Sequence, residues 1–220
     1  MNRTWPLIVP VPVFDSSTFR EGVDSIDYVA APIRKPAVRD WREIDYLLTG
    51  TARQRAAHRE LRALDLMSLL SEFDPALVST VCIGLDTADS DLDVICELTD
   101  GELMTKRLAE NSGNRSLVVR NAAGPDALAT VATFDGDAFA IEVYAEPLPV
   151  ERQRAYRHLA QSARVVDAGG ESARAAIVAL RESGLKTEPA VAAYLGLDGD
   201  PYLALLEVEN WSDARLNAAL

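Results

Sequence analysis

Two carboxylates near the middle of the chain have a spacing that could do chemistry. Asp91 and Asp93 are separated by one residue and are followed by the apolar run Val94, Ile95 and Cys96. Apolar and β-branched residues bounded by Ser, Asp and Gly predict a strand. Side chains two residues apart on a strand lie on the same face, so these carboxylates would be parallel and would repel each other. The pair therefore predicts either a solvated acidic turn or a site for Mg²⁺, which uses one or two protein carboxylates together with substrate phosphates.

A third carboxylate, Glu142, lies within a later predicted strand over residues 138–144. It is the only charged residue between Phe139 and Tyr144, and a charge in mid-strand is costly if it is buried without a partner. If this strand lies next to the strand that contains Asp93, Glu142 would complete a cluster of three carboxylates. Such a cluster around one or two Mg²⁺ or Mn²⁺ ions is typical of phosphoryl and nucleotidyl transfer.

A run of small residues upstream predicts a loop that could hold phosphate. Ser79 and Thr80 are followed by Gly84, and Ser90 directly precedes Asp91. Small residues let backbone N–H groups approach a phosphate closely, and a Thr hydroxyl can add a hydrogen bond. The loop and the acidic pair could therefore act on the same phosphorylated ligand.

The order of these small and acidic residues, from Ser79 to Asp93, resembles the signature of the nucleotidyltransferase superfamily. DNA polymerase beta and the minimal nucleotidyltransferases share the fold of that superfamily. Counted from Thr80, both Gly84 and Ser90 stand at the offsets of the signature. The resemblance implies a nucleotidyltransferase-type sheet with helices on its flanks.

The resemblance covers residues 75–145 and implies a metal-dependent nucleotidyltransferase. Such an enzyme would move a nucleoside monophosphate from a nucleoside triphosphate, with ATP as the expected donor, to a hydroxyl of a small molecule or protein. By this resemblance Asp91, Asp93 and Glu142 are catalytic and bind Mg²⁺ or Mn²⁺. The residues expected to contact the nucleotide are Ser79, Thr80, Gly84, Ser90 and Arg157.

The chain also resembles an uncharacterised bacterial family described as nucleotidyltransferase-like. That resemblance covers about residues 40–209, without the N-terminal arm. The stretches that carry it lie at residues 46–50, 53–54, 90–97, 155–158 and 185–189. Arg157 belongs to one of these stretches and could contact phosphate if its helix faces the cleft, because Arg suits oxyanions.

A second function stays open because Ser79 stands where the superfamily signature has a Gly. A Cβ at this position could crowd an approaching phosphate. The alternative is a catalytically degenerate nucleotide-binding or protein-interaction module that kept the fold. A third possibility is an antitoxin-like partner protein that uses the proline-rich N-terminal arm.

The composition indicates a soluble globular protein. The 220 residues carry a formal net charge of −12, which argues against a large nucleic-acid partner because such partners normally meet a basic surface. The two cysteines are too few for a disulfide framework or a zinc site. No apolar run is long enough to span a membrane, and prolines interrupt the apolar N-terminus. We therefore expect a cytoplasmic protein without a membrane partner.

The predicted elements explain how the acidic residues would be positioned. Two helices, at residues 40–49 and 52–73, precede a strand–loop–strand segment over residues 77–97. An Asp135-Gly136 pair predicts a hairpin turn, and Gly169-Gly170 predicts a helix break. The later elements are a helix over 101–111, strands over 116–120, 127–134 and 138–144, and helices over 150–166, 171–181, 188–195 and 201–207.

This order of elements predicts an α+β fold, close to α/β, with a mixed sheet of about five strands flanked by helices. The C-terminal half is predicted to be helical. We expect three parts along the chain: a proline-rich arm (1–38), a nucleotidyltransferase-like core (39–148) and a helical C-terminal subdomain (149–220).

Overall fold

The chain is an α+β protein in which a five-stranded mixed sheet is followed by a helical half. The computed structural model describes residues 39–124 and 127–220. The predicted fold class, mixed sheet and helical C-terminal half are confirmed. The predicted arm over residues 1–38 lies outside the described residues, and the division of the remaining chain into core and subdomain stays a prediction.

Short helices precede the sheet, and local hydrogen bonds set their ends. Helix α1 (Ala52–Ala63) begins with a capping box, in which Thr51 and Gln54 each accept a hydrogen bond from the other's backbone N–H. The single helix predicted over 52–73 is wrong, because Asp65 adopts a left-handed conformation with φ 46° and interrupts it. The other elements of this region are 3₁₀-helices at Asp45–Thr49 and Ser71–Phe73 and helix α2 at Leu66–Leu69.

Five strands form one mixed sheet. They are β1 (Ala76–Leu77), β2 (Leu92–Glu97), β3 (Val118–Ala123), β4 (Leu128–Asp135) and β5 (Ala140–Glu146). Their order across the sheet is β1-β2-β5-β4-β3, with β2 and β5 parallel and the other neighbouring pairs antiparallel. The strand predicted from Leu77 onward ends there, because a 3₁₀-helix (Thr80–Ile83) follows, capped by the Ser79 hydroxyl.

The central parallel strands have one apolar face and one face that carries carboxylates. Leu92 and Val94 of β2 and Ile141 of β5 are buried on the apolar face. Burial of this face fixes the register, because a shift by one residue would turn the apolar side chains outward. Asp93 and Glu142 consequently lie on the opposite face.

A helix and a hairpin complete the sheet region. Helix α3 (Gly101–Asn111) follows β2 and is capped by the Asp100 side chain. The predicted turn at Asp135-Gly136 connects β4 and β5, and Gly136 donates a hydrogen bond to the Phe139 carbonyl at 2.8 Å. The hairpin prediction is therefore confirmed.

The helical half begins with a long, kinked helix. Helix α4 (Arg154–Glu182) changes direction at Gly170, whose φ is 62°, and this confirms the break predicted at Gly169-Gly170. The remaining helices are α5 (Thr187–Tyr194), α6 (Pro201–Glu207) and α7 (Asp213–Ala219), with 3₁₀-helices at Val150–Arg152 and Val208–Asn210. Among the described residues, none of the helices is sufficiently long and apolar to span a lipid bilayer.

Candidate functional site

Three carboxylates meet near the amino ends of the central parallel strands. Asp93 is the second residue of β2 and lies directly beside Glu142 of β5 in the parallel register. Asp91 precedes β2, and its backbone carbonyl accepts a hydrogen bond from the Ser79 hydroxyl at 2.6 Å. All three acidic residues are partly buried. The fold thus places the three predicted acidic residues in one region of the sheet, where the charge of Asp91 acts on both Asp93 and Glu142.

The charges of these side chains act on one another. Burial raises the pKa of Asp93 to about 8, and three neighbouring negative charges add to this effect. Those charges belong to Asp91, Glu142 and Glu188. Burial and the Asp91 charge also raise the pKa of Glu142, whereas Arg120 on β3 opposes that rise. The Asp93 carboxyl therefore tends to keep its proton at neutral pH unless positive charge is brought to it.

The carboxylates have the chemistry of a Mg²⁺ site but do not form a closed cage. Within residues 39–124 and 127–220, no group of three or more His, Cys, Asp or Glu side chains is placed to hold a metal ion. Mg²⁺ usually takes only one or two carboxylates and completes its shell with substrate phosphates and water. Asp91 and Asp93 supply that number, and the raised pKa of Asp93 reflects negative charge that a cation would offset. These residues therefore fit a Mg²⁺ or Mn²⁺ ion that binds together with a phosphate substrate.

The hydroxyl groups predicted to contact phosphate form bonds within their own segment. Ser79 is fully buried and accepts a hydrogen bond from the Val81 N–H at 3.3 Å. Thr80 donates to Ser90 Oγ at 3.3 Å, and the same oxygen accepts from the Thr87 N–H at 2.9 Å. Ser79 thus fixes the backbone, while the partly exposed Thr80 and Ser90 hydroxyls lie side by side.

Gly84 turns the chain, and its amide is engaged in that turn. Its φ of 67° is left-handed, a conformation that favours glycine. The Gly84 N–H donates to the Val81 carbonyl at 3.3 Å, and the Leu85 N–H donates to the Thr80 carbonyl at 3.1 Å. The two amides at this turn are therefore already paired within the segment.

Two arginines of α4 bind the backbone carbonyls that flank this turn. Arg174 donates to the Ile83 carbonyl, and Arg181, two helical turns later, donates to the Leu85 carbonyl. A Cβ on Gly84 would lie 2.5 Å from Arg174 Nη1. The guanidinium therefore occupies the space that a side chain at this position would need.

A third arginine, from α1, binds the loop of residues 84–91. Arg53 of α1 donates to the backbone carbonyls of Ala88 at 3.1 Å and Ser90 at 2.8 Å. Its Nε also lies 3.0 Å from Asp86 Oδ2. The 84–91 loop is thus held by guanidinium groups from α1 and from α4.

A fourth carboxylate reaches this region from the helical half. Glu188 lies in the first turn of α5, and its Oε1 is 3.7 Å from His158 Nδ1. His158 Nε2 is 3.0 Å from the Tyr202 carbonyl oxygen, and it must be the donor because a carbonyl can only accept. His158 therefore presents Nδ1 to Glu188, whose charge adds to the rise in the pKa of Asp93.

Arg157, the remaining residue predicted to contact nucleotide, binds a partner within the helical half. Its Nε and Nη2 donate to one carboxylate oxygen of Glu209 at 3.0 and 2.9 Å. The structure does not pair Arg157 with any of the three predicted carboxylates, and its role at the site stays a prediction.

Sequence reasoning missed Arg174, Arg181 and Glu188. The two arginines are seven residues apart, a spacing that places them on one face of a helix, and the buried Ala173 and Ile177 lie close to them in sequence. This signal could have identified an arginine pair close to the core. It could not have identified the loop that the pair contacts, since that depends on how the chain folds back in space.

Comparison with known families adds one match. The family model described as Domain of unknown function (DUF4269) matches residues 59–208. The matched stretch includes the three carboxylates, the 84–91 loop, and Arg174, Arg181 and Glu188. No curated protein and no solved structure matches the chain.

Proposed function

The chain belongs to the DUF4269 family of domains of unknown function, and we propose that it is a metal-dependent nucleotidyltransferase. It would move a nucleoside monophosphate from a nucleoside triphosphate, with ATP as the expected donor, to a hydroxyl of a small molecule or a protein. One observation supports this most strongly. Asp93 and Glu142 are direct neighbours in the parallel register of β2 and β5, with Asp91 two residues before Asp93.

In this proposal the carboxylates hold Mg²⁺ or Mn²⁺. Asp91 and Asp93 would bind the ion, and Glu142 would either bind a second one or act as the base for the acceptor hydroxyl. When bound, such ions neutralise charge on the triphosphate and lower the pKa of an attacking hydroxyl. The negative charges around Asp93 support this assignment, because carboxyl groups whose pKa is strongly raised in this way are found mainly at functional sites.

The transfer step would proceed in line. The acceptor O–H bond breaks, and its proton goes to Glu142, or to water where Glu142 holds an ion. The acceptor oxygen forms a bond to the α-phosphorus while the bond from that phosphorus to the bridging oxygen breaks, and its electron pair leaves with pyrophosphate. The Ser90 hydroxyl, which accepts a hydrogen bond from the Thr80 hydroxyl, could donate its own O–H to a phosphate oxygen, whereas Thr80 would first have to release Ser90.

Asp93→Asn tests this proposal. We expect it to abolish pyrophosphate release from ATP and Mg²⁺ across a broad panel of alcohol and protein acceptors, with an unchanged far-UV circular dichroism spectrum. Asp89→Asn is the matched control, because Asp89 is exposed in the same loop. Turnover by Asp93→Asn at the wild-type rate would refute the proposal.

One observation favours a second function, a catalytically degenerate module that binds nucleotide or a protein partner. The amides of Gly84 and Leu85 are paired within their own segment, and Ser79 is fully buried where the superfamily signature has a glycine. Both features reduce the number of backbone donors that could meet a triphosphate.

Calorimetric titration with ATP and Mg²⁺ separates the two functions when it is combined with the acceptor panel. A nucleotidyltransferase binds ATP and releases pyrophosphate with at least one acceptor. A degenerate module binds ATP, or a protein partner, without releasing pyrophosphate across the whole panel.

A further inference from the structure

We propose that Arg174 and Arg181 bind the β- and γ-phosphates of the nucleoside triphosphate. This inference rests on the proposed function, because it names the side chains that would hold the leaving pyrophosphate at the same site. Both residues come from the helical half, outside the motif that carries the three carboxylates.

The first argument is the position of the two guanidinium groups. They lie on one face of α4 and donate to the carbonyls of Ile83 and Leu85, the residues on either side of Gly84. Because Gly84 has no Cβ, Arg174 Nη1 can lie 2.5 Å from the point that a Cβ would occupy. The glycine thus creates room for a cation at the turn.

The second argument is the shortage of other donors at the turn. The Gly84 and Leu85 amides are paired with the carbonyls of Val81 and Thr80. The carbonyls of Ile83 and Leu85 carry partial negative charge and would repel a phosphate unless cations lay between them and the anion. Arg174 and Arg181 bind these two carbonyls, so a phosphate at this turn would meet guanidinium groups.

The third argument is unused hydrogen-bonding capacity. A guanidinium has five N–H donors in a planar fork that matches phosphate oxygens. Arg181 uses Nη1 for the Leu85 carbonyl, and its buried Nε has no hydrogen-bond partner among residues 39–124 and 127–220. An unpaired buried donor is costly, and an anionic ligand that bound this guanidinium could relieve part of that cost.

The fourth argument is the link to the carboxylates. Burial lowers the pKa of Arg181, and the charges of Glu188, Asp86 and Asp91 oppose that effect. The Arg181 guanidinium is therefore close enough to interact electrostatically with Asp91, one of the proposed metal ligands. A triphosphate could have its α-phosphate near the carboxylates and its outer phosphates near α4.

The competing explanation is that the arginines only hold the 84–91 loop in place. Both explanations predict lower stability when an arginine is removed. They differ in nucleotide preference, because only a phosphate-binding role distinguishes ATP from AMP. The ratio of ATP affinity to AMP affinity is therefore the quantity to measure.

The experiment is calorimetric titration of the full chain with ATP, AMP and inorganic tripolyphosphate in the presence of Mg²⁺. We expect Arg174→Gln and Arg181→Gln each to weaken ATP and tripolyphosphate binding by about tenfold or more, as for loss of a charge-assisted hydrogen bond. AMP affinity should stay within about twofold of the wild-type value, because AMP lacks the β- and γ-phosphates that these arginines would bind. Arg164→Gln is the matched control, because Arg164 also lies on α4 and donates to the carbonyls of Val208 and Trp211.

The outcomes separate this inference from the proposed function. If wild-type protein binds ATP and the folded variants keep its ATP-to-AMP ratio, the arginine assignment is overturned and the proposed function stands. If wild-type protein binds neither ATP nor tripolyphosphate, the proposed function is overturned and the assignment with it.

A second measurement uses the unaltered protein and does not depend on any variant folding. Phenylglyoxal modifies accessible arginines, and peptide mass spectrometry gives the rate at each one. Tripolyphosphate with Mg²⁺ should slow modification of Arg174 and Arg181 and leave the exposed Arg152 unaffected. Equal rates with and without tripolyphosphate at all three arginines, in protein that binds ATP, would overturn the assignment.

Discussion

Asp93 occupies a position where a carboxylate is costly for the fold. Burial and the charges of Asp91, Glu142 and Glu188 raise its pKa to about 8, whereas an unfolded Asp titrates at about 3.9. Between these two pH values, the folded protein keeps a proton on Asp93 that the unfolded chain has released. The stability that this group contributes is therefore fully present below the unfolded pKa and is lost as the pH rises through the folded pKa.

Asp93→Asn should therefore stabilise the protein when divalent metal is removed. Asn has nearly the same shape as Asp but cannot ionise, so it avoids the cost of a buried negative charge. We expect its melting temperature to exceed that of the wild type by a difference that grows from about pH 4 and levels off above about pH 8. Thermal unfolding followed by circular dichroism in EDTA from about pH 4.5 to about pH 9 measures this difference, which should be on the order of ten degrees.

This experiment has two controls: a substitution at an exposed aspartate of the same loop, and the addition of Mg²⁺. Asp89→Asn, at an exposed position, should follow the wild-type curve. Adding Mg²⁺ should raise the melting temperature of the wild type more than that of Asp93→Asn, because the cation offsets a charge that the variant lacks. A difference between Asp93→Asn and the wild type that does not change with pH would contradict the role of ionisation.

At the residue scale, the sequence could identify those candidate residues whose positions depend on local periodicity. Asp91 and Asp93 follow from the two-residue repeat of a strand, and Glu142 follows from the single charge in a predicted strand. Glu142 lies beside Asp93 because β2 and β5 pair in parallel, and the sequence alone did not establish that pairing. Arg181 and Glu188 depend on long-range packing of the helical half, for which a single sequence has no local signal.

At the scale of elements, the segment between β1 and β2 differs most from prediction. Its apolar, β-branched run predicted a strand that continued past Leu77, but the chain forms a 3₁₀-helix over Thr80–Ile83. Ser79 caps this helix and Gly84 ends it in a left-handed conformation. Side-chain hydrogen bonds to the backbone compete with strand pairing, and here the capped 3₁₀-helix forms with Val81, Cys82 and Ile83 buried.

Gly84→Ala tests whether this element needs room for the guanidinium of Arg174. Gly113→Ala is the matched control, because Gly113 has a similar φ of 60° but nothing lies within 4 Å of the point that a Cβ would occupy. The control should lose about 1 kcal/mol of stability from left-handed strain. Gly84→Ala should lose more, because its Cβ also displaces Arg174, and it should weaken ATP binding.

Urea unfolding and calorimetric ATP titration measure the two effects of these alanine substitutions. The difference in unfolding free energy between Gly84→Ala and Gly113→Ala isolates the displacement of Arg174 from the backbone strain. Equal losses of stability together with unchanged ATP affinity would mean that Arg174 moves aside without consequence.

At the scale of the whole molecule, the proposed binding of an anionic nucleotide to an acidic protein would require local positive charge. The net charge of −12 is unfavourable for a long nucleic acid, whose binding depends on many phosphate contacts. It is less unfavourable for one triphosphate bound with a divalent cation, because the cation and nearby guanidinium groups dominate the local field. Charge balance therefore favours a nucleotide with a small or protein acceptor over a nucleic acid.

The sheet and the helical half are connected through a buried amide. Gln153, directly before α4, is buried, and its Nε2 donates to the carbonyls of Cys96 at 2.8 Å and Leu148 at 2.9 Å. All described residues belong to one compact unit. In the proposed site, α4 and α5 supply Arg174, Arg181 and Glu188, while β2, β5 and the residue before β2 supply the carboxylates. The proposed site therefore depends on how the two halves are held together.

Gln153→Ala should reduce both stability and the coupling between the two halves. The substitution leaves the buried Cys96 carbonyl and the partly buried Leu148 carbonyl without this partner, at a cost of about 1–3 kcal/mol. Trp41 reports on the region beside the sheet, and Trp211 reports on the helical half. In a Trp5→Phe background, replacing one of these two tryptophans by Phe leaves the other as the single fluorescent reporter, so each half can be followed separately. Wild-type unfolding curves from the two reporters should coincide, whereas those of Gln153→Ala should separate. The control is Gln161→Ala, at a buried glutamine within α4. It should lower the midpoint while the two curves stay coincident, and separation of the curves in this control would mean that any loss within α4 uncouples the halves.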